Sequence, residues 1–248
     1  MNRIGILDWG IGGISIYKLI KERLGDIPVT YFSDTGVTPY GKMSRQELVS
    51  RLDAVIEYLK SRDITHVVIG CNAASTAISR LADHGISVEG VIESGVEAAA
   101  KHKPSRLGLI GGRRTVVSGV YRRSFNARGI ALQQRIAQPL SGLIESGDIS
   151  SQKLRDEAAH ILAPIRNCSH ILLACTHYPA ITSVLKDLVS SDTQFIDPAS
   201  TLIKKIAGWQ LETGGGDEFL TSGEVRKMKM AAKNAFGVEI QNASNVRF

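Results

Sequence analysis

Cys71 and Cys175 lie 104 positions apart, and each closes a short apolar run: Thr65-His66-Val67-Val68-Ile69-Gly70 before the first, Ser169-His170-Ile171-Leu172-Leu173-Ala174 before the second. Both runs read as buried strands, so each thiol falls where a strand gives way to a helix, near a positive helix terminus that favours thiolate. A free cysteine titrates near about 8.5, so modest help makes either thiol a base close to neutral pH. Two such thiols on opposite walls of one cleft suit the removal of a proton from one face of a carbon and its return to the other.

The residues around them add hydrogen-bonding and acid–base groups. Cys71 leads into Asn72-Ala73-Ala74-Ser75, and Cys175 leads into Thr176-His177-Tyr178-Pro179. Asp8 ends an earlier apolar run and precedes Trp9-Gly10-Ile11-Gly12-Gly13, a turn whose amides and following helix could approach an anion. Its glycines do not fall at G-x-G-x-x-G spacing, so a dinucleotide site is not expected. A metal site is not expected either: neither cysteine belongs to a C-x-x-C pair, and Cys175-x-His177 lacks two further ligands nearby. Thiol redox chemistry would require cysteines remote in sequence to meet at disulfide distance. Cys168 reads as packing. His66 and His170 each precede a cysteine by five residues, roughly 16 Å along a strand, which assigns them to the opposite end of a sheet.

The echo between the halves extends beyond the thiols. Arg3-Ile4-Gly5-Ile6-Leu7-Asp8 matches Arg106-Leu107-Gly108-Leu109-Ile110-Gly111 at an offset of 103, so the repeat covers whole half-domains. Strands are expected at 4–7, 29–32, 67–70, 87–91, 106–110, 131–135, 171–174 and 194–196, alternating with amphipathic helices. The clearest helix begins at Ser44, where Ser44 and Glu47 form a capping-box pair and Leu48, Leu52, Val55, Ile56 and Leu59 share one face. A helical stretch over 201–211 leads into the turn Thr213-Gly214-Gly215-Gly216-Asp217, and a last helix is expected around 224–236. The fold class is therefore α/β: two pseudo-symmetric doubly wound domains with mainly parallel sheets, residues 1–96 plus 210–248 and residues 97–209, with the active site in the cleft between them.

Bulk properties bound the function. At 248 residues and 43% hydrophobic the chain can bury proper cores. Three cysteines, without a signal peptide or an apolar run long enough to span a bilayer, point to reduced thiols in the cytoplasm and no membrane partner. The net charge of +6 is spread over short pairs such as Arg113-Arg114 and Lys204-Lys205, so nucleic acid is not expected and a small anionic substrate is favoured.

Taken together, these motifs resemble the cofactor-independent aspartate/glutamate racemase superfamily, and within it most closely the glutamate racemases. The likeness runs through Ile4 to Asp8 with the glycine turn, Asp34-Thr35 with Pro39-Tyr40-Gly41, Cys71-Asn72 with Ser75, Gly90-Val91-Ile92, and Thr115 with Ser118 and Tyr121. It continues through Pro139-Leu140 with Glu145, Cys175 to Pro179, and Thr221-Ser222-Gly223. The resemblance implies an isomerase in which Cys71 and Cys175 are opposed acid and base, with Asp8, His177 and Glu145 supporting them. It implies that Asn72, Thr115 and Thr176 bind the substrate carboxylate, while Pro39, Tyr40 and Gly41 line the side-chain pocket with positions 9 and 73. It also implies L- and D-glutamate as substrates, a supply of D-glutamate to peptidoglycan in the cell wall, and neither pyridoxal phosphate nor metal. The resemblance leaves a homodimer open.

Several positions depart from that pattern: Glu93 and Ser94 stand where proline is usual shortly after Gly90-Val91-Ile92, and Gln138 stands where cysteine is common. Trp9 stands where serine is usual and Ala73 where threonine is usual. Two hydrogen bonds to a charged ligand are thereby lost, each worth about 1.5 to 3 kcal/mol if unreplaced. Either the indole narrows the pocket or it packs beneath the glycine turn. Aspartate or another α-substituted acid remains an alternative substrate, and a silent binding protein of the same fold an alternative class.

Overall fold

The computed structural model describes residues 2–247. The strands are β1 (Ile4–Asp8), β2 (Val29–Ser33), β3 (His66–Ile69), β4 (Ser87–Gly90), β5 (Leu107–Gly111), β6 (Leu132–Ile136), β7 (His170–Ala174), β8 (Gln194–Ile196), β9 (Glu218–Thr221) and β10 (Ala243–Asn245). The helices are α1 (Ile14–Leu24), α2 (Arg45–Lys60), α3 (Asn72–Ser75), α4 (Val91–His102), α5 (Arg113–Val117), α6 (Val120–Asn126), α7 (Gln138–Glu145), α8 (Gln152–Leu162), α9 (Thr182–Lys186), α10 (Ala199–Ile206) and α11 (Val225–Phe236).

Two all-parallel sheets result, in strand orders β10-β9-β2-β1-β3-β4 and β6-β5-β7-β8. The internal repeat is visible in both order and register. The segment β2-β1-β3-β4 matches β6-β5-β7-β8, and Ile4 pairs with Val29 and His66 as Leu107 pairs with Leu132 and His170. The central strands are buried throughout, consistent with sheets covered by helices on both faces.

α2 shows how local sequence builds this arrangement. Ser44 accepts from the Glu47 amide while the Glu47 carboxylate accepts from the Ser44 amide, and Leu48, Leu52, Val55, Ile56 and Leu59 are buried in a core with Leu7, Phe32 and Ile69. A larger core joins the halves: Ile4, Ile6 and Ile20 share it with Ile110, Ile171, Leu202 and Ile206. α10 packs on both α1 and α4, which seats the second sheet against the first.

Several boundaries differ from the sequence expectation. β9 and β10 extend the first sheet and fall outside the eight expected strands, because one is four residues long and the other is a polar edge. The helix expected over 201–211 runs instead from Ala199 to Ile206, and Leu211 bridges Asn2. The boundary expected at 96/97 lies within α4, which packs on α10, α6 and β7. Residues 210–248 return to the first sheet through β9 and β10. No helix among the described residues is long and apolar enough to cross a membrane.

Candidate active site

Parallel strands carry their carboxyl ends to the same side, and the strand-to-helix turns there supply the site. Asp8 closes β1, Cys71 precedes α3, Thr115 lies in α5, and Cys175, Thr176 and His177 follow β7. Together they line a cavity of about 390 Å3 between the two sheets, with Trp9, Pro39, Tyr40, Gly41, Asn72 and Ala73. Every residue expected at the site lines this cavity except Glu145, which lies behind His177.

The two thiols have different neighbours. Cys175 Sγ is 3.6 Å from His177 Nδ1, and the other ring nitrogen is 2.6 Å from Glu145 Oε2. Burial works against the His177 cation, yet hydrogen bonds to Cys175 and Glu145 and their negative charge raise its pKa well above the usual range. Around Cys71, burial pushes the thiol well up and the nearby Asp8 charge adds to this, while the Ala74 and Ala73 amides pull it down. Asp8 is itself raised by burial, opposed by the His177 charge.

The glycine turn serves the supporting carboxylate. The Ile11 amide donates to Glu145 Oε2 at 3.0 Å, so an internal carboxylate holds an amide that the sequence reading left open to an anionic ligand. A Cβ at Gly10 would lie 2.1 Å from the same oxygen, and one at Gly12 would lie 2.4 Å from Thr176 Oγ1. These glycines permit the close approach of the two halves.

Three buried polar atoms on the cavity wall lack a hydrogen-bond partner among the described residues: Asp8 Oδ1, Asn72 Nδ2 and Thr115 Oγ1. Such groups are costly to bury unpaired. Their neighbours fix them in place. Thr176 Oγ1 donates to the other Asp8 oxygen at 3.1 Å, and Tyr121 Oη donates to Asn72 Oδ1 at 2.8 Å, leaving the Asn72 amide nitrogen free to donate. A carboxylate acceptor thus shares one cavity with an amide and a hydroxyl that can donate, the set a zwitterionic α-amino acid requires.

Trp9 lines the cavity and also packs against the core of the first sheet. Its Nε1 donates to the Val37 carbonyl at 3.1 Å, so the one polar atom of the indole is already paired. Tyr40 Oη donates to the fully buried Asp34, whose carboxylate also takes a bidentate pair from Arg51 and a hydrogen bond from Ser222. The Asp34-Thr35, Pro39-Tyr40-Gly41 and Thr221-Ser222-Gly223 motifs therefore form one support beneath the pocket.

Lys42, Gly112, Gln138, Pro139, Ser141 and Gly142 also line the cavity and were absent from the expected set. Gln138 accepts from the Arg113 amide and donates to Ser141, joining the starts of α5 and α7. The departure at position 138, glutamine where cysteine is common, was its signal in the sequence. Tyr121 stood in the motif series, but its contact with Asn72 has no local trace. Among the described residues, no group of three or more His, Cys, Asp or Glu is placed to hold a metal ion.

The family profile described as Asp/Glu/Hydantoin racemase matches residues 4–206. The chain belongs to this family. Among curated racemases, the chain is 32% identical to the glutamate racemase of Synechococcus sp. (strain CC9605) over 209 residues, 82% of this chain and 78% of that one. It is 27% identical to the glutamate racemase of Thermoanaerobacter sp. (strain X514), over 99% and 97% of the two chains. Among solved structures it matches the glutamate racemase isoform RacE1 of Bacillus anthracis with a TM-score of 0.87 and 25% identity, over 99% of this chain and 97% of that one. This member of the racemase family is an isomerase acting on an amino acid.

Proposed function

We propose that this racemase interconverts L- and D-glutamate with Cys71 and Cys175 as opposed acid and base. The observation that carries the reading is that the two thiols, delivered by corresponding strands β3 and β7 of the two repeats, face one cavity from different halves of the molecule. The substrate ammonium group sits against Asp8 Oδ1, and the α-carboxylate takes hydrogen bonds from Asn72 and Thr115, with Thr176 holding Asp8. One thiolate removes the α-proton and the opposite thiol supplies one to the other face. Because an amino-acid α-carbon is a very weak acid, placed donors and a dry enclosure must stabilise the carbanion-like transition state.

Substrate binding also changes the electrostatics. The Asp8 charge opposes a thiolate at Cys71, so an ammonium group placed against Asp8 offsets that opposition. Pro39, Tyr40 and Gly41 line the side-chain end of the pocket in this reading, together with Trp9 and Ala73. The names of the curated relatives favour glutamate. Carbon surfaces at Trp9 and Ala73 favour, as a second reading, aspartate or a related acid in the same chemistry. We place the domain division ahead of α4, with residues 210–248 completing the first domain, and the cell-wall supply of D-glutamate as the role that follows.

Proton NMR in heavy water tests the substrate. Wild-type protein incubated separately with each enantiomer of glutamate and aspartate should remove the α-proton signal of both glutamates and build the opposite enantiomer. Exchange confined to aspartate would replace glutamate as the substrate, and exchange with none of the four would contradict glutamate and aspartate alike and leave only a related acid.

A further inference from the structure

We propose that Trp9 is the partition that sets how long a side chain this racemase accepts. The proposal rests on the reading that the 390 Å3 cavity holds the amino-acid substrate. Among the residues described for the two cavities, Trp9 is the only one that borders both that cavity and a lateral one of about 510 Å3. The lateral cavity is lined by Thr35, Glu145, Glu224, Lys227, Met228 and Arg247 among others.

The partition is anchored at both ends. The indole N–H is held by the Val37 carbonyl at 3.1 Å, and the ring packs against a core containing Leu7, Phe32 and Tyr40. At its root the backbone has little freedom. A side chain at Gly10 would collide with the Glu145 carboxylate, and the Ile11 amide is hydrogen-bonded to the same group. Packing on one side and a fixed turn on the other keep Trp9 where it borders both cavities.

Reducing the indole to a methyl group joins the two spaces. A dicarboxylic α-amino acid longer than glutamate could then extend its distal carboxylate toward Arg247 and toward Lys227, which pairs with Glu224, while its α-carbon stays between the thiols. The wild-type ring blocks that path with carbon and offers no hydrogen bond in return.

The test compares wild type, Trp9→Ala and Trp9→Phe with aspartate, glutamate and 2-aminoadipate, following α-hydrogen exchange in heavy water, each variant first checked for folding by circular dichroism. The ratio of kcat/KM for 2-aminoadipate over glutamate should rise by about tenfold or more in Trp9→Ala, the scale on which a pocket discriminates one methylene. It should stay near the wild-type value in Trp9→Phe, which keeps an aromatic wall. A second arm needs no substrate: thiol labelling by N-ethylmaleimide relative to the smaller iodoacetamide should rise in Trp9→Ala alone. An unchanged chain-length ratio in a folded Trp9→Ala protein that still racemises glutamate overturns the proposal. If wild type exchanges none of the acids, the glutamate reading fails and the labelling arm decides the partition: a raised maleimide ratio supports it, and an unchanged one overturns it.

Discussion

The two thiols are chemically alike but placed in unlike fields. Cys71 lies beside a buried carboxylate and two helix-start amides, whereas Cys175 faces an imidazole whose pKa is raised by Cys175 itself and by the Glu145 carboxylate behind it. His177 is the group through which Glu145 reaches the cavity, so replacing Glu145 by glutamine separates charge from shape: an amide oxygen can still accept from Ile11, but the carboxylate charge is gone. Losing that charge destabilises the imidazolium and lowers the His177 pKa. The alkaline limb of kcat/KM against pH should therefore move to lower pH in Glu145→Gln, by about one unit for a lost ion-pair contribution of about 1.4 kcal/mol. Steady-state kinetics across pH check this, and an unmoved limb would remove Glu145 from the support of His177.

At the scale of elements, strand ends deliver the chemistry and loops close over it. Arg114, in α5 beyond the second sheet's first strand, donates to the carbonyls of Tyr40 and Met43 in the loop between β2 and α2. This side chain ties one half of the molecule to the pocket loop of the other. Arg114→Ala should lower kcat/KM about tenfold, equivalent to about 1.4 kcal/mol of transition-state stabilisation, because the Pro39-Tyr40-Gly41 wall is no longer held in register. Kinetics on glutamate check it, with kcat/KM within twofold of wild type contradicting a role for the clasp. These contacts explain what the sequence could and could not reveal. Asp8, Cys71, Cys175 and His177 stand at the ends of apolar runs, a local pattern that periodicity detects. Gln138 and Tyr121 act through partners far away in the chain, Arg113 and Asn72, and nothing adjacent to them marks the contact. Likewise β9 and β10 are too short and too mixed in character to stand out, and they become strands only because β2 offers an edge to continue.

The whole molecule is a repeat put to asymmetric use. Matching strand order and register in the two sheets bring Cys71 and Cys175 to corresponding positions, and the shared core through α1, α4 and α10 holds the halves face to face. The neighbours differ, with an aspartate beside one thiol and a histidine backed by a glutamate beside the other. The central claim is that each thiol serves one face of the α-carbon, and α-hydrogen exchange in heavy water by Cys71→Ser and Cys175→Ser tests it most directly. Both variants should fail to racemise glutamate, and any residual exchange with retention should fall on opposite enantiomers in the two proteins, since a single remaining thiol can remove and return a proton only on its own side. Racemisation by either variant at a rate near wild type, or exchange of the same enantiomer by both, would contradict the account.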